Sequence, residues 1–472
     1  MEPFVAGIDL GTEGVRVCVL DLEGSLLAEA AEPIPTYETT TGFVEQDPED
    51  WWAAVVQCWR RVALRLDPRR IRALAVASTS GTVLVLDARG RPLRRALMYN
   101  DARALAEIPA VQDAVGGPMP VRPTDPLPKI LWLQRYEPNV WTRTRRVVHA
   151  ADFVTGRLTG RWVTDWTHAL KTGYDPVHRT WSPALSSVGL EPTMLPAVVP
   201  PGTPIGEVHA RAARVTGLRP GTLVVAGMTD GCAAQVAAGA VAPGDWCSVL
   251  GTTLVVRGVT EAPLRDPQGR IYCHRHPEGF WLPGGASNTG GECLRKAFGN
   301  VDLRAMDVQA LACSPTGRVA YPLVRVGERF PFIAPQARGF VLDPPRSEVE
   351  RYAMYLEGVA YVERLAYDLL TQLGAVVGGT VFTAGGGSRS DPWLQIRSDV
   401  LGRVLCRPRH TGAAVGAAIL AATVVVGEGL IARTRAMVRF DRTVVPRDHT
   451  QDLYAEAYGQ FLAALRARGY LE

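Results

Sequence analysis

Short apolar runs alternate with longer amphipathic segments in the first part of the chain. Four apolar runs have the length of buried strands, at residues 4–8, 17–20, 71–77 and 82–86. Between them, apolar residues of the segment 51–66 recur at helical spacing. Asp47 before Pro48 is typical of a helix start, because a helix accommodates proline without strain only in its first turn. The pattern therefore predicts mixed α/β structure.

A proline-rich stretch from about residue 190 to 222 separates this part from a second α/β block. The second block opens with a predicted strand at 222–226 and continues with a hairpin made of 246–250 and 254–256. This hairpin repeats the arrangement at the start of the chain, in which a Gly/Thr turn joins two strands. We therefore predict two domains, residues 1–222 and 223–472.

Two helices are predicted in the last part of the chain. The run 412–427 is apolar throughout, which predicts a buried helix too short to span a bilayer comfortably. The run 453–471 is amphipathic, and its apolar stripe predicts a core-facing side. That stripe consists of Tyr454, Tyr458, Phe461 and Leu465.

Composition and charge narrow the function classes. The chain has 472 residues and a formal net charge of +4, which gives no reason to expect nucleic acid or an anionic membrane as a partner. The eight cysteines have no paired spacing, which favours a reducing compartment. Neighbouring ligands on a strand point to opposite faces, so residues 273–276 (Cys-His-Arg-His) do not favour a metal site. No signal peptide is recognised, and we expect a cytoplasmic protein.

The turn after the first strand carries the first candidate chemistry. Asp9 offers a hard oxygen ligand for Mg²⁺ or its waters, and Thr12 adds a hydroxyl donor. Gly11 and Gly14 let the backbone approach an anion closely. An ordinary hairpin turn would use the same residue types, so the turn alone leaves both interpretations open.

Further motifs give the chain a resemblance to the FGGY carbohydrate kinases, a branch of the actin/hexokinase/heat-shock ATPase superfamily. The resemblance runs in the same order along essentially the whole chain. Its segments are residues 9–12, 42–48, 99–103, 157–160, 164–165, 227–231, 251–253, 327–331, 337–339, 385–388 and 416–418. It implies an α/β fold of two actin/hexokinase-like (ribonuclease H-like) domains flanking a catalytic cleft. Residues 1–222 would carry the sugar and Mg-phosphate side, and residues 223–472 the ATP side and the catalytic Asp.

The resemblance also implies roles for single residues. Asp230 would be the catalytic base and a sugar contact, although an Asp at a helix start also serves as a cap. Asp9 would hold Mg²⁺ and contact the sugar together with Ser80. The nucleotide phosphates of MgATP would be bound by glycines and threonines of three turns. These are Gly11, Thr12, Gly251, Thr252, Thr253, Gly385, Gly386 and Gly387.

Other positions depart from the family pattern or stay open. Thr411 stands where the family usually has Glu, which weakens any assignment of adenine contacts. The role of Lys171 is open. Glu328, Arg329 and Arg338 are predicted to form a structural ion-pair system.

The substrate interpretation follows from four segments that resemble cyanobacterial and plant-plastid D-ribulose kinases, at residues 78–83, 99–103, 169–175 and 284–291. Xylulose kinases typically carry a Gly-Gln-Met-His-Gly loop where this chain has Ser80-Gly81. We expect MgATP-dependent phosphorylation of a ketopentose, with D-ribulose favoured and sugar and ATP as partners. D-xylulose, a polyol, a sugar-responsive binding protein and a bare ATPase remain alternatives, and a homodimer is left open.

Overall fold

The computed structural model describes residues 3–116, 121–299 and 301–471. Its strands are β1 (Phe4–Leu10), β2 (Gly14–Leu20), β3 (Leu26–Pro33), β4 (Tyr37–Glu38), β5 (Val44–Gln46), β6 (Ile71–Ser78), β7 (Leu84–Leu86), β8 (Ala96–Leu97), β9 (Arg146–Val148), β10 (Val163–Asp165), β11 (Tyr174–Asp175), β12 (Thr180–Trp181), β13 (Ala197–Val199), β14 (Pro204–Glu207), β15 (Leu223–Val225), β16 (Trp246–Leu250), β17 (Leu254–Gly258), β18 (Tyr272–Arg275), β19 (Trp281–Ala286), β20 (Ala320–Tyr321), β21 (Phe340–Val341), β22 (Thr380–Ala384), β23 (Val404–Pro408) and β24 (Phe440–Val444).

The helices alternate with these strands. They are α1 (Pro48–Ala63), α2 (Ile108–Val115), α3 (Pro126–Tyr136), α4 (Pro138–Trp141), α5 (Ala150–Thr159), α6 (Trp166–Ala169), α7 (Ala210–Thr216), α8 (Asp230–Ala238), α9 (Glu292–Phe298), α10 (Leu303–Cys313), α11 (Glu348–Gln372), α12 (Asp391–Leu401), α13 (Ala413–Val426), α14 (Leu430–Met437) and α15 (Gln451–Ala467).

The chain divides into two compact units. The first contains residues 1–237, 274–279 and 412–438, and the second contains residues 238–273, 280–411 and 439–472. This division differs from the predicted boundary at 222/223. Strand β15 joins the sheet of the first unit because it pairs in parallel with β6, and α8 follows it there. Asp230 therefore belongs to the first unit and not to the second.

The sheet of the first unit has the strand order β14-β15-β6-β1-β2-β3. The strands β15, β6 and β1 run parallel, while β2, β3 and β14 are antiparallel to their neighbours. Helix α1 packs on β2 and β3 through its buried apolar face. Its start is the predicted one, since the Asp47 carboxylate accepts a hydrogen bond of 2.9 Å from the Glu49 amide.

Helix α13 packs on this sheet although it lies far along the sequence. Gly7 in β1 allows the approach, because a Cβ there would overlap the carbonyl oxygen of Ala414. Gly416 of α13 meets α8 in the same way, and a Cβ there would overlap the carbonyl oxygen of Ala233. Two glycines thus let α13 approach both β1 and α8 at backbone distance.

In the second unit, neighbouring strands follow the order β19-β17-β16-β22-β23-β24. The strands β16, β22 and β23 are parallel, and β16 forms an antiparallel hairpin with β17. The predicted apolar stripe of the last helix is confirmed, since all four of its residues are buried in α15. The helix itself runs from Gln451 to Ala467 and ends before the predicted residue 471.

Among the described residues, no single helix is long and apolar enough to cross a membrane. The pair α13 and α14 reaches the required length and composition together, but it is bent by 116° at the break between the two helices.

Candidate active site

Three parallel strands of the first unit end at the same edge of the sheet. Asp9 is the penultimate residue of β1, and β6 ends at Ser78. Ser78 forms a parallel bridge with Thr229, the residue before Asp230. Because parallel strands align their carboxyl ends, the structure brings Asp9, Ser80 and Asp230 to this one edge. Ligands of open α/β sheets bind at such edges.

The carboxyl group of Asp9 lies in an environment that disfavours its charge. Burial and, after it, the nearby Asp230 carboxylate together raise the pKa of Asp9 from 3.8 to about 7, while the Arg16 charge acts in the opposite direction. Two carboxyl groups at one sheet edge thus create a place where a proton or a cation is stabilised.

Three side-chain oxygens at this edge are buried and unsatisfied. Asp9 Oδ1, Ser80 Oγ and Thr229 Oγ1 form no hydrogen bond with any part of the chain that the structure describes. Asp230 Oδ1 accepts a hydrogen bond of 2.6 Å from the amide of Gly231 at the start of α8. Buried polar groups are normally paired, so these oxygens are suited to a polar ligand.

The turn between β1 and β2 lies next to Asp9. The Gly11 amide donates to the carbonyl oxygen of Gly14 at 3.0 Å, which closes the turn. The Gln46 side-chain amide donates to the carbonyl oxygen of Thr12 at 2.7 Å. The predicted phosphate turn of the first unit therefore begins two residues after Asp9 and is held by a buried glutamine.

Two glycine-containing turns lie at one edge of the second unit's sheet. Gly251 to Thr253 follow β16, and Gly385 to Gly387 follow β22, which is parallel to β16. The Gly385 backbone has a φ of 90° and lies against β16, since a Cβ there would meet the carbonyl oxygen of Leu250. Within this unit the structure thus brings the predicted nucleotide-binding glycines and threonines together.

The Gly251–Thr253 turn is supported by the segment after β19. The Gly291 amide donates to the carbonyl oxygen of Gly251 at 2.9 Å, and the Glu292 amide donates to that of Thr252 at 3.1 Å. The Leu254 amide donates to the carbonyl oxygen of Thr289 at 2.9 Å. The turn is therefore bonded to the 289–292 backbone on both sides.

Glu328 holds the segment after β19 in place, a role that the sequence analysis did not predict. Its buried carboxylate accepts hydrogen bonds from Ser287 Oγ (2.8 Å), Thr289 Oγ1 (3.0 Å) and Tyr321 Oη (3.1 Å). The predicted ion-pair system of Glu328, Arg329 and Arg338 is wrong. The Arg329 guanidinium donates to the carbonyl oxygen of Ala286, because hydroxyl groups already surround the Glu328 carboxylate.

A buried histidine–aspartate pair lies behind the sheet edge of the first unit. His168 Nδ1 lies 2.5 Å from Asp165 Oδ2, and His168 Nε2 lies 2.9 Å from Ser78 Oγ. The Thr167 hydroxyl donates to Asp165 at 2.5 Å and accepts the Thr229 amide at 2.9 Å. This network connects the end of β6 to the residue before Asp230, so it orients both.

The charge on this pair should make folding depend on pH. Burial lowers the pKa of His168, but the Asp165 carboxylate outweighs burial and raises it from 6.5 to about 9. The stabilisation is therefore fully present below pH 6.5 and is lost as the pH rises through about 9. Substituting His168→Gln should lower the free energy of unfolding by about 3–5 kcal/mol below pH 6.5, because the buried Asp165 carboxylate loses its positively charged partner.

Thermal unfolding of the parent and of His168→Gln between pH 6 and pH 10 checks this prediction. The exposed His178, which contacts Asp175, provides the matched control His178→Gln. The gap between parent and His168→Gln should narrow toward pH 10. A gap of constant size across this range, or one equal to that of the control, would contradict the assignment.

The described residues contain no group of three or more His, Cys, Asp or Glu side chains able to hold a metal ion, which includes the histidines of 273–276. Magnesium keeps several of its waters and is commonly bound through one or two carboxylates together with substrate phosphates. The unsatisfied Oδ1 of Asp9, beside a second carboxylate, has the right chemistry for such an ion.

Sequence reasoning missed several residues and left others open. Asp165 caps α6 and His168 follows three residues later, so a local Asp-x-x-His pattern was present in the sequence. Thr411 is exposed and lies two residues before the start of α13. Lys171 lies close enough to Asp125 for its charge to act on the pKa of that carboxyl group, and its role stays open.

Comparisons with known proteins show which family the chain resembles. Residues 4–237 match the N-terminal domain model of the FGGY family of carbohydrate kinases, and residues 247–425 match the C-terminal domain model. The chain is 30% identical to a xylulose kinase of Escherichia coli strain K12, over 88% of each chain. It is 24% identical to a gluconokinase of Bacillus subtilis strain 168, over 89% of this chain and 87% of the other.

Solved structures give the same result for the fold. The crystal structure of a xylulose kinase from Rhodospirillum rubrum superimposes with a TM-score of 0.87 at 26% identity, covering 98% of both chains. The predicted two-domain α/β kinase fold is confirmed. The chain belongs to the FGGY family of carbohydrate kinases.

Proposed function

We propose that this kinase transfers the γ-phosphoryl group of MgATP to the terminal hydroxyl of a ketopentose, with D-ribulose as the preferred substrate. The observation that carries the proposal is the sheet edge of the first unit. Two carboxyl groups, Asp9 and Asp230, lie there beside the unsatisfied hydroxyl of Ser80. Acids and a hydroxyl at one edge suit a substrate with several hydroxyl groups.

Phosphoryl transfer needs a group that accepts the proton of the attacking hydroxyl. We assign this role to Asp230, whose position is determined by β15, by the start of α8 and by the Thr229–Thr167 hydrogen bond. Asp9 would hold Mg²⁺ through its free oxygen or through water. The ion, when bound, neutralises charge on the phosphate groups. Closure over both substrates would exclude water and suppress ATP hydrolysis.

The glycine turns supply backbone N–H groups for the phosphates. In the first unit, Gly11 and Thr12 lie two and three residues after Asp9, so phosphate groups held there would adjoin the metal. In the second unit, the turns at 251–253 and 385–387 share one sheet edge, and their glycines would let the backbone approach an anion closely. We propose both sets as the phosphate contacts of MgATP.

The choice of sugar rests on the 78–81 loop. Ser80 takes the place of the larger side chains typical of xylulose kinases, and its Oγ is buried without a partner in the described chain. D-xylulose is the second candidate, since xylulose kinases are among the relatives. The two ketopentoses differ in configuration at C3, so a hydroxyl-directed hydrogen bond must distinguish them.

A panel of ketoses, aldoses, polyols and gluconate, assayed for ADP release with MgATP, tests the proposal. Saturable turnover on a ketopentose, with a higher kcat/KM for D-ribulose than for D-xylulose, would support it. Equal or reversed values for the two ketopentoses would refute the ribulose assignment. ADP release independent of sugar would indicate an ATPase, and sugar binding without turnover would indicate a binding protein.

The loop assignment makes a separate prediction. Ser80→Ala should reduce kcat/KM for the sugar roughly 5- to 150-fold, because a buried substrate hydroxyl loses its partner at a cost of about 1–3 kcal/mol. The KM for ATP should stay near that of the parent. Ser187→Ala, at an exposed position, is the control and should change neither value. Unchanged sugar kinetics in Ser80→Ala would remove this loop from the sugar site.

A further inference from the structure

The first unit contains a cavity that has no part in the proposed reaction. Its volume is about 1010 Å³, and none of Asp9, Thr12, Ser80 and Asp230 lines it. The segments around it are the turn after β7, residues 92–95, the first turn of α1, the end of α5 and the start of α7. Six arginines line this arginine cavity: Arg89, Arg91, Arg94, Arg95, Arg157 and Arg211.

Half of these arginines have acidic partners. Arg157 pairs with Glu49, and Arg91 pairs with Asp87 at 2.8 Å. Arg94 pairs with Glu45 and Glu137. The remaining acid on the wall, Asp47, caps α1 and accepts the Glu49 amide.

The other half carry uncompensated positive charge. In the described ranges, no carboxylate lies within ion-pair distance of Arg89, Arg95 or Arg211. Arg95 stacks on the ring of Tyr37, with its guanidinium carbon 3.5 Å from the ring centroid. Three arginines that lack an ion-pair partner in the described chain thus line one concave space.

The wall that carries Arg89 is rigid before any ligand arrives. The Asp87 carboxylate accepts hydrogen bonds from the amides of Arg89 (2.8 Å) and Arg91 (3.0 Å). Arg146 donates to the carbonyl oxygens of Asp87 and Ala88 from behind this turn. The backbone that carries Arg89 is thus held at its amides and its carbonyls, so binding needs to order only the Arg89 side chain.

Two tryptophans add flat apolar surface to the cavity. The Trp162 ring fits against Gly90 and Gly156, where any Cβ would overlap it. The Arg146 guanidinium lies over the same ring at 5.8 Å from its centroid. Trp52 of α1 lines the cavity as well, with the Arg157 guanidinium 5.6 Å from its ring centroid.

We propose that the arginine cavity binds a phosphorylated small molecule with a ring. Guanidinium groups match phosphate oxygens in two-pronged hydrogen bonds, and indole faces stack on a base or cover a sugar ring. The volume is at the upper end of the range for small-ligand sites. Arg89, Arg95 and Arg211 would hold the phosphate, with Trp52 and Trp162 beside the ring. This proposal does not rest on the sugar-kinase reaction.

Calorimetric titration of the full chain with inorganic pyrophosphate, at physiological salt, tests the phosphate part. The variant carrying Arg89→Ala and Arg211→Ala should bind pyrophosphate about tenfold more weakly or worse, because two charge-assisted contacts are lost. The control carries Arg265→Ala and Arg304→Ala, which remove two exposed arginines of the second unit. Equal affinity in the parent and the Arg89/Arg211 variant would overturn the proposal, since the phosphate would then be held elsewhere.

A second titration identifies the ligand class. Binding of a compound is assigned to the arginine cavity only if the Arg89/Arg211 variant binds that compound more weakly than the parent does. AMP and ribose 5-phosphate represent the two sources of a ring phosphate, and Trp52→Leu reports stacking. Tighter AMP binding that Trp52→Leu weakens would support a nucleotide. Tighter binding of ribose 5-phosphate would support a sugar phosphate. No binding of either, or tighter binding of a short oligonucleotide than of both, would overturn the proposal.

Discussion

Replacing Asp230 by Asn should lower kcat by about a hundredfold or more, because the attacking hydroxyl loses its proton acceptor. The change is nearly isosteric, and the amide oxygen can still accept the Gly231 amide at the start of α8. The fold and ATP binding should therefore be preserved. Steady-state kinetics with saturating sugar and MgATP, together with nucleotide titration, measure both quantities.

An Asp at a helix start also stabilises the helix, and this role needs its own control. Asp302 caps α10 by accepting the Arg304 amide at 3.0 Å, and Asn caps helices about as well as Asp. Asp302→Asn should therefore leave kcat unchanged. A near-normal kcat in Asp230→Asn would remove Asp230 from the mechanism, whatever its contribution to α8.

Asp9→Asn should lower kcat by about 10- to 100-fold, as expected when a group that holds or orients a metal is lost. It should also raise the Mg²⁺ concentration needed for half-maximal turnover. A Mg²⁺ titration of turnover measures both effects. Curves that overlay those of the parent would contradict the metal role of Asp9.

The same substitution should stabilise the protein when no ligand is present. Burial and Asp230 raise the pKa of Asp9 from 3.8 to about 7, so the folded state binds its proton more tightly than the unfolded state. Stability attributable to this group therefore falls as the pH rises from about 4 to about 7, and the full penalty applies above that. Asn carries no charge, so the variant does not bear the cost of burying an ionised carboxylate.

Unfolding of the parent and of Asp9→Asn in a chelator between pH 5 and pH 8 checks this sign. The variant should unfold at a higher temperature at pH 8, and the difference should shrink toward pH 5. Asp21→Asn is the control, because Asp21 lies in a turn of the same sheet and accepts hydrogen bonds from the nearby amides of Glu23 and Ser25. A less stable Asp9→Asn variant at pH 8 would show that Asp9 is not under electrostatic strain.

Much of the fold could be predicted because its causes are local. The apolar runs became β1, β2 and β6, and Asp47-Pro48 marked the start of α1. The strand predicted at 82–86 spans only Leu84–Leu86 in the structure. The reason is that β7 pairs with β9 over three residues, whereas Val83 pairs with Leu97. Periodicity reports burial, but it does not name the partner strand.

The candidate site was partly readable for the same reason. Asp9, Gly11 and Thr12 are neighbours in sequence, and a turn between two strands is visible in the pattern. That Asp230 joins the same sheet edge was decided by the parallel pairing of β15 with β6, across about 150 residues of sequence. The predicted boundary at 222/223 was placed by the change in composition, whereas hydrogen bonding with β6 places β15 in the sheet of the first unit.

Other features depend on contacts that no local pattern encodes. Helix α13 packs on β1 and on α8 because Gly7 and Gly416 remove the side chains that would keep these backbones apart. The Glu328 carboxylate accepts hydrogen bonds from hydroxyl groups and forms no ion pair with Arg329 or Arg338. The reason is that the fold surrounds it with Ser287, Thr289 and Tyr321. The sequence by itself determined the type of the strongly patterned segments, such as β1, β6, α1 and α15, since that depends on side chains within a few residues. Only the tertiary structure decided which carboxylates, hydroxyls and arginines share one environment, because burial and charge are set by neighbours distant in the chain.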